Sequence, residues 1–209
     1  DTALPELRPR DTLTGPPFLA CRNWAIADAK SGKILWESQA ADVVDTASTT
    51  KIMTAFVILN LAEEQPKVLD EVLTFSERAS RTAGSSCKVR VGEKLPVREL
   101  LYGLLVPSGN DAAIALAEHL GSRFDPPPRR KGETDPVARF VAEMNRAAAK
   151  LKLAETHYGN PNGLPEKGHV SSARDLARLT WAAGQLPHFR EYVSCRQHEV
   201  RVIGRSGPA

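Results

Sequence analysis

The sequence predicts an α+β fold in which helices pack on an antiparallel sheet built from both ends of the chain. Residues 22–38 alternate apolar and polar side chains on both sides of "AKSGK", a pattern typical of two strands joined by a glycine-containing turn. Residues 195–209 begin with a similar strand-like pattern. The long segment between these ends carries its apolar residues mainly at helical spacing, so helices are expected to fill the middle of the fold.

Residues 1–20 contain four prolines and predict an extended arm, after which residues 21–209 predict one domain. The chain has 209 residues, of which 42% are hydrophobic, and this is enough to bury a sizeable core. The run that starts at Ser48 has apolar residues at helical spacing and stops before Pro66. Because this run is apolar nearly all round, we expect it to form a buried helix.

The remaining elements follow from local patterns. Residues 69–77 and 87–95 are short and strand-like, flank a Ser/Gly-rich loop, and fit a small second sheet. Four further segments have helical patterns: residues 97–106, 111–120, 137–153 and 171–185. Ser172 and Asp175 have the spacing of a capping box, which predicts the start of the last of these helices.

Charge and composition exclude several functions. The net charge is +3, but lysines and arginines are scattered among 25 acidic residues, so we expect no nucleic-acid partner. No stretch approaches the roughly 20 apolar residues of a membrane span. Cys21, Cys87 and Cys195 are far apart and lack histidines at metal-ligand spacing, which argues against a zinc site. Three buried thiols are favoured over one disulfide and a free thiol.

The motif "STTK" places Ser48 and Lys51 at the start of the buried helix. Three residues along a helix turn the chain by about 300° and raise it by about 4.5 Å, so the two side chains project from the same side. A lysine whose pKa is lowered by burial can take the proton of a serine, which makes the serine a nucleophile. A helix-capping serine would have a similar sequence context. A second S-x-x-K, Ser85 and Lys88, lies in a loop running into a predicted strand, which would separate its side chains.

The segment "PSGN" places Ser108 and Asn110 in a tight turn between two apolar helices. Polar groups in such a place indicate a turn that faces a cleft. The Ser108 hydroxyl could shuttle a proton to a leaving amine, and the Asn110 amide could hold both a lysine and a substrate carbonyl. An ordinary Ser/Gly/Asn turn is the alternative interpretation.

In this order, "STTK" and "SGN" resemble the penicillin-recognising serine acyl-transferases, whose signatures are S-x-x-K, S-x-N and K-T-G. The flanking segments "DTASTTKIMTA", "LLYGLLVPSGNDAAIALAEHL", "NPNGLP" and "SSARDLARL" are similar to those of the D-alanyl-D-alanine carboxypeptidase family, the low-molecular-mass penicillin-binding proteins. The resemblance covers residues 22–205. It implies a penicillin-binding/β-lactamase-like fold for the domain.

The resemblance also implies a mechanism. Ser48 would attack the carbonyl of a terminal D-Ala-D-Ala bond and form an acyl-enzyme, with Lys51 as the general base. Ser108 would relay a proton, Asn110 would hold the substrate, and the backbone N–H of Ser48 would supply one oxyanion donor. The implied partners are peptidoglycan stem peptides and, as covalent inhibitors, β-lactam antibiotics. No metal or cofactor is implied, the implied location is the bacterial cell envelope or periplasm, and any membrane anchor would lie in a segment outside this sequence.

The third signature, K-T-G, departs from the family pattern. Lys30, Ser31 and Gly32 form a literal K-S-G, but they precede Ser48 and occupy the turn of the first hairpin. Residues 205–207, "RSG", come later in the chain, yet arginine does not simply replace lysine. We therefore expect the K-T-G strand to follow Ala209, and residues 1–209 alone to be inactive or to need completion by another segment.

Two other functions stay open at this point. A class A β-lactamase shares the architecture, but residues 160–170 lack the E-x-x-L-N arrangement that would activate the deacylating water. A non-catalytic peptidoglycan-binding relative would keep the pocket without the chemistry. Asn160, Asn162 and Gly163 predict a turn near the cleft with no assigned role. The five histidines lack partner spacing and are expected to be structural or exposed: His119, His157, His169, His188 and His198.

Overall fold

The computed structural model describes residue 16, residues 19–127 and residues 132–204. Most of the predicted arm and all of the "RSG" segment lie outside these ranges. The described elements, in chain order, are β1 (Trp24–Ala27), β2 (Ile34–Ser38), α1 (Thr50–Glu64), β3 (Val72–Thr74), α2 (Glu77–Ser80), β4 (Lys94–Pro96), α3 (Val97–Leu105), α4 (Asn110–Leu120), α5 (Pro136–Lys150), α6 (Ala173–Gly184) and α7 (Pro187–Ser194). Helices with two small antiparallel sheets make this the predicted α+β fold.

The first hairpin forms as predicted, with β1 and β2 paired antiparallel and Trp24 opposite Ser38. Asp28 closes its turn, because one carboxylate oxygen accepts hydrogen bonds from the Ser31 backbone and hydroxyl, both at 2.7 Å. Gly32 has a φ of +72°, and a Cβ there would lie 2.6 Å from the Trp181 ring on α6. The K-S-G sequence is thus the hairpin turn, and its serine is engaged within that turn.

Helix α1 is the centre of the core, as its all-round apolar pattern predicts. It contacts α3, α5, α6 and α7. Met53, Ala55 and Ile58 are fully buried, which shows that several faces of the helix are covered. The helix follows a short 3-10 turn, Ala47–Thr49, and ends at Glu64 before Pro66. Packing on several sides fixes the position of this first turn, where Lys51 lies.

The second sheet is smaller than predicted. Strands β3 and β4 pair antiparallel, with Val72 opposite Pro96. Of the strand expected over residues 87–95, only residues 94 and 95 are in β4, and residues 87–91 form no strand. The Cys87 N–H donates to the Asp111 carboxylate, 3.0 Å away, and Lys88 has a φ of +59°, which is incompatible with an extended strand. A side chain of α4 therefore replaces the strand partner.

The helices of the middle segment are confirmed. Helices α3 and α4 are consecutive and pack on each other, while α5 packs on α1 and α4. The predicted cap of α6 is also present, because the buried Ser172 Oγ accepts a hydrogen bond from the Asp175 N–H at 3.2 Å. Residues 106–109 connect α3 to α4, which begins at Asn110, and the Asn110 side chain contacts Lys51 at the start of α1.

The end of the described chain differs from the prediction. Residues 187–194 form α7, which was not predicted. Up to residue 204 no strand joins the β1–β2 sheet; instead the Ile203 N–H donates to Lys94 O at 2.7 Å. His198 stacks on Tyr102 with ring centroids 3.7 Å apart and lies 2.8 Å from Glu99 Oε2. Contacts to α3 and β4 therefore divert this segment from the first sheet.

The three cysteines are free thiols. The expectation that all three are buried is met only by Cys87, because Cys21 is exposed and Cys195 is half-buried. Burial raises the pKa of the Cys87 thiol to about 12, and the nearby Asp111 charge adds to this effect. Cys87 therefore stays protonated and behaves as a small core residue.

Candidate active site

Ser48 and Lys51 meet at the start of α1. Ser48 is exposed in the 3-10 turn, whereas Lys51 is 2% exposed and lies one helical turn beneath it. Lys51 Nζ is 3.0 Å from Ser48 Oγ, which is hydrogen-bond distance. An accessible hydroxyl thus rests directly on a buried amine, the arrangement that proton transfer from serine requires.

Two further acceptors surround the Lys51 amine. Asn110 Oδ1 lies 2.7 Å from Nζ, and the backbone carbonyl of Asn162 lies 2.8 Å from it. A neutral amine has two N–H bonds and one lone pair. If both N–H bonds point to Asn110 and Asn162, the lone pair faces the Ser48 hydroxyl. The two fixed acceptors therefore direct the Lys51 lone pair toward the Ser48 hydroxyl.

The charge state of Lys51 is set by burial. Desolvation lowers the pKa of its ammonium from 10.5 to about 8, and the negative charge of Asp111 partly opposes this shift. The protonated amine also finds a place here, because its third N–H can donate to Ser48 Oγ. The site therefore accommodates both protonation states near neutral pH, as a general base must.

The turn that carries Ser48 is strained and is held from outside. Ala47 has a φ of +43°, a left-handed conformation uncommon for a residue with a Cβ. Gly163 covers it so closely that a Cβ on Gly163 would lie 1.8 Å from Ala47 O. Asn160 Oδ1 in turn accepts the Gly163 N–H at 2.8 Å. The predicted turn at residues 160–163 thus forms, and it packs directly against the turn that carries Ser48.

The same turn is tied to α1 by side-chain contacts. Thr54 Oγ1 donates to Pro161 O at 2.6 Å, one helical turn beyond Lys51. This bond holds the neighbouring Asn162 carbonyl over the Lys51 amine. Backbone carbonyls carry no side-chain signature, so the contact of the Asn162 carbonyl with Lys51 could not be predicted from residue type.

The turn that carries Ser108 and Asn110 reaches the Lys51 amine through the Asn110 side chain. Ser108 is half-buried with a φ of +60°, and Ser85 Oγ donates to its carbonyl. Asn110 is fixed by two contacts: its N–H donates to Ser85 O at 2.7 Å, and its Nδ2 donates to Ala83 O at 2.8 Å. These bonds orient the amide so that Oδ1 faces Lys51. The relay role of Ser108 stays a prediction.

The second S-x-x-K, Ser85 and Lys88, has a different structural place. Ser85 supports the Ser108 turn, and the Lys88 side chain is exposed. Asp111 anchors the same loop, because its buried carboxylate accepts from Ser86 Oγ at 2.7 Å and from the Cys87 N–H. Asp111 directly follows the S-x-N motif, but residue type and spacing do not predict this anchoring contact.

Residues 11–203 match the sequence model of a family described as D-alanyl-D-alanine carboxypeptidase. The chain belongs to this family. One relative, the D-alanyl-D-alanine carboxypeptidase DacF of Bacillus subtilis, is 35% identical over 153 residues, which are 73% of this chain and 36% of the relative. A D-alanyl-D-alanine endopeptidase of Pseudomonas aeruginosa is 36% identical over 183 residues, which are 87% of this chain and 53% of the relative.

The crystal structure of the Streptomyces DD-transpeptidase superposes with a TM-score of 0.77 at 33% sequence identity, covering 91% of this chain and 70% of that one. This similarity confirms the penicillin-binding fold that the motifs predicted. The chain spans 36% and 53% of the lengths of the two relatives above.

Two negative findings concern the part of the chain that the structure describes. There, no group of three or more His, Cys, Asp or Glu side chains is arranged to hold a metal ion. No described helix has both the length and the apolar composition needed to span a bilayer. The Ser48 hydroxyl and the Lys51 amine supply a group that can act as a nucleophile and a group that can act as a base.

Proposed function

We propose that this protein is a serine D-Ala-D-Ala carboxypeptidase that trims peptidoglycan stem peptides through an acyl-enzyme on Ser48. The observation that carries the proposal is the buried Lys51 amine 3.0 Å from Ser48 Oγ, with its other two positions occupied by Asn110 and Asn162. Membership of the D-alanyl-D-alanine carboxypeptidase family supports the choice of substrate. Because that substrate lies outside the cytoplasmic membrane, we propose a cell-envelope location.

Acylation starts with neutral Lys51. Its lone pair accepts the Ser48 proton while Oγ forms a bond to the carbonyl carbon of the penultimate D-Ala. Negative charge moves to the carbonyl oxygen, for which the backbone N–H of Ser48 is the proposed donor. The C–N bond then breaks, and the leaving amine takes a proton from Lys51, with Ser108 as the proposed relay.

Deacylation returns the enzyme to its starting state. A water molecule attacks the acyl carbon and loses a proton to Lys51; the bond from the acyl carbon to Ser48 Oγ then breaks, Lys51 returns the proton to Oγ, and the shortened peptide leaves. The relatives are named as a carboxypeptidase, an endopeptidase and a transpeptidase. These activities can share an acyl-enzyme and differ in the bond cleaved or in the acceptor. We propose water as the acceptor and the terminal bond as the one cleaved.

The test uses the protein produced from its own gene and a fluorescent penicillin. We expect one covalent label per chain, mapped to Ser48, and we expect both Ser48→Ala and Lys51→Met to abolish labelling. Ser31→Ala and Lys88→Met are matched controls, because both residues lie outside the site, and both variants should label normally. A label on another residue, or full labelling of Ser48→Ala, would contradict the proposal.

The same material separates the alternatives. Slow release of the penicillin together with release of free D-alanine from a stem pentapeptide supports the carboxypeptidase. Rapid penicillin turnover would identify a β-lactamase. Reversible binding of the ligand that persists unchanged in Ser48→Ala, without a covalent adduct, would identify a non-catalytic binder. Transfer of the acyl group to an added amino acceptor, in preference to water, would identify a transpeptidase.

A further inference from the structure

A buried hydrogen-bonded chain lies directly beneath the nucleophile turn. Thr46, Thr50 and His169 are 6%, 0% and 3% exposed, respectively. His169 Nε2 is 2.7 Å from Thr50 Oγ1, which is 3.2 Å from Thr46 Oγ1. Its lack of partner spacing predicts a structural or exposed position for His169, and no step of the proposed mechanism uses this residue.

The hydrogen bonds of this series have one consistent direction of donation. The Gly159 backbone N–H donates to His169 Nδ1 at 3.1 Å, so Nδ1 must be an acceptor. In a neutral imidazole the proton is then on Nε2, which donates to Thr50 Oγ1. The Thr50 hydroxyl hydrogen is left to donate to Thr46 Oγ1. One backbone amide therefore fixes the direction in which the Thr50 hydroxyl donates.

The two threonines bracket Ser48. Thr46 precedes the strained Ala47, and its carbonyl accepts from the Thr49 N–H at 3.2 Å and from Thr49 Oγ1 at 2.5 Å. Thr50 is the first residue of α1, between the nucleophile and its base. Linking Thr46 to Thr50 thus fixes the chain on both sides of Ser48.

We propose that His169, as the neutral Nε2–H tautomer, is a positioning residue that holds Ser48 Oγ over Lys51 through Thr50 and Thr46. This inference rests on the proposed acylation of Ser48, because positioning matters only if the hydroxyl reacts. A displacement of about 1 Å at a reacting group can cost on the order of 100-fold in rate, so the contact is worth maintaining.

Protonation of His169 should disrupt this arrangement. An imidazolium carries hydrogen on both nitrogens and would set an Nδ1–H against the Gly159 N–H. Burial lowers the pKa of His169, and His157 lowers it further, while Glu166 and Asp45 act in the opposite direction. The Tyr158 ring also lies against the imidazole, with centroids 5.7 Å apart. The neutral form is therefore favoured at physiological pH.

Two pairs of variants test the inference. His169→Gln keeps a donor near the Nε2 position, whereas His169→Asn keeps only an acceptor near the Nδ1 position. We expect the Gln variant to acylate within about threefold of wild type and the Asn variant to lose on the order of tenfold or more. Thr50→Ser should likewise retain the rate that Thr50→Val loses. Thermal unfolding of each variant shows whether it is folded.

Two measurements on the wild type and the His169 variants need no activity. Nitrogen-15 NMR of the wild-type imidazole should place the proton on Nε2, and exchange of the Thr49 amide should accelerate at least tenfold in His169→Asn but not in His169→Gln. A proton on Nδ1, or a His169→Asn variant with unchanged exchange, would overturn the inference. If these results hold while the wild type takes no label at Ser48, the proposed function fails and the positioning contact stands.

Discussion

The charge state of Lys51 predicts how acylation depends on pH. With a pKa of about 8, about one Lys51 in eleven is neutral at pH 7, whereas an ordinary lysine with a pKa of 10.5 would be neutral about once in 3,000. Burial therefore raises the population of the competent base about 300-fold at pH 7. The acylation rate should rise about tenfold between pH 7 and pH 9 and then level off.

Asp111→Asn moves this profile in a known direction. The Asp111 carboxylate raises the pKa of Lys51, so its removal should shift the midpoint of the profile to lower pH and increase the rate at pH 7. An asparagine can keep the local contacts, because its carbonyl oxygen accepts from Cys87 N and its amide can donate to Ser86 Oγ.

The assay is the second-order rate of fluorescent penicillin labelling from pH 6 to pH 10, with Ser31→Ala as the control variant. Circular dichroism at each pH verifies that the protein stays folded. A rate that does not change between pH 7 and pH 9 would refute the assignment of Lys51 as the base. A midpoint that moves to higher pH in Asp111→Asn would refute the electrostatic reasoning.

Three further predictions concern stability. The pKa of Lys51 in the folded state lies below its value in the unfolded state. The free energy of unfolding should therefore increase by about 3 kcal/mol as pH rises from 8 to 10.5. Chemical denaturation should show this increase in the wild type and not in Lys51→Met. Gly163→Ala should destabilise by about 2 kcal/mol or more and slow labelling of Ser48, because its Cβ would collide with Ala47 O; unchanged stability and labelling would contradict this close approach. Ser172→Ala should cost about 1 kcal/mol through loss of the α6 cap without altering the pH profile of acylation, which thermal unfolding and labelling together can check.

Much of the fold could be predicted because it depends on local patterns. The first hairpin, α1 and the Ser172 cap follow from alternation, helical periodicity and side-chain spacing, and all three are present. Two predictions were wrong: residues 87–91 of the strand predicted over 87–95 are not extended, and α7 was not predicted. The strand is displaced by the buried Asp111 carboxylate, a contact across 24 residues that no local pattern reports. The sequence-based interpretation of residues 187–194 simply missed a short helix.

The candidate site also combines contacts that local spacing predicts with contacts that it does not. The contact between Ser48 and Lys51 follows from their three-residue spacing at the start of α1. The family resemblance predicted that Asn110 lies in the same site, and its amide oxygen contacts Lys51. The Asn162 carbonyl reaches Lys51 across 111 residues, and a backbone acceptor leaves no trace in residue type. His169 has no characteristic spacing because its partner Thr50 lies 119 residues away. Long-range contacts made by ordinary residues are the part that sequence patterns cannot supply.

The most direct test of the account is the site of covalent attachment. Peptide mapping by mass spectrometry, after brief exposure of the protein to penicillin at pH 9, should find the adduct on the Ser48 hydroxyl and on no other residue. Replacing Lys51 with methionine should remove that adduct while the folded state persists. An adduct that forms at a comparable rate without the Lys51 amine, or that maps to Ser85 or Ser108, would contradict the assignment of nucleophile and base.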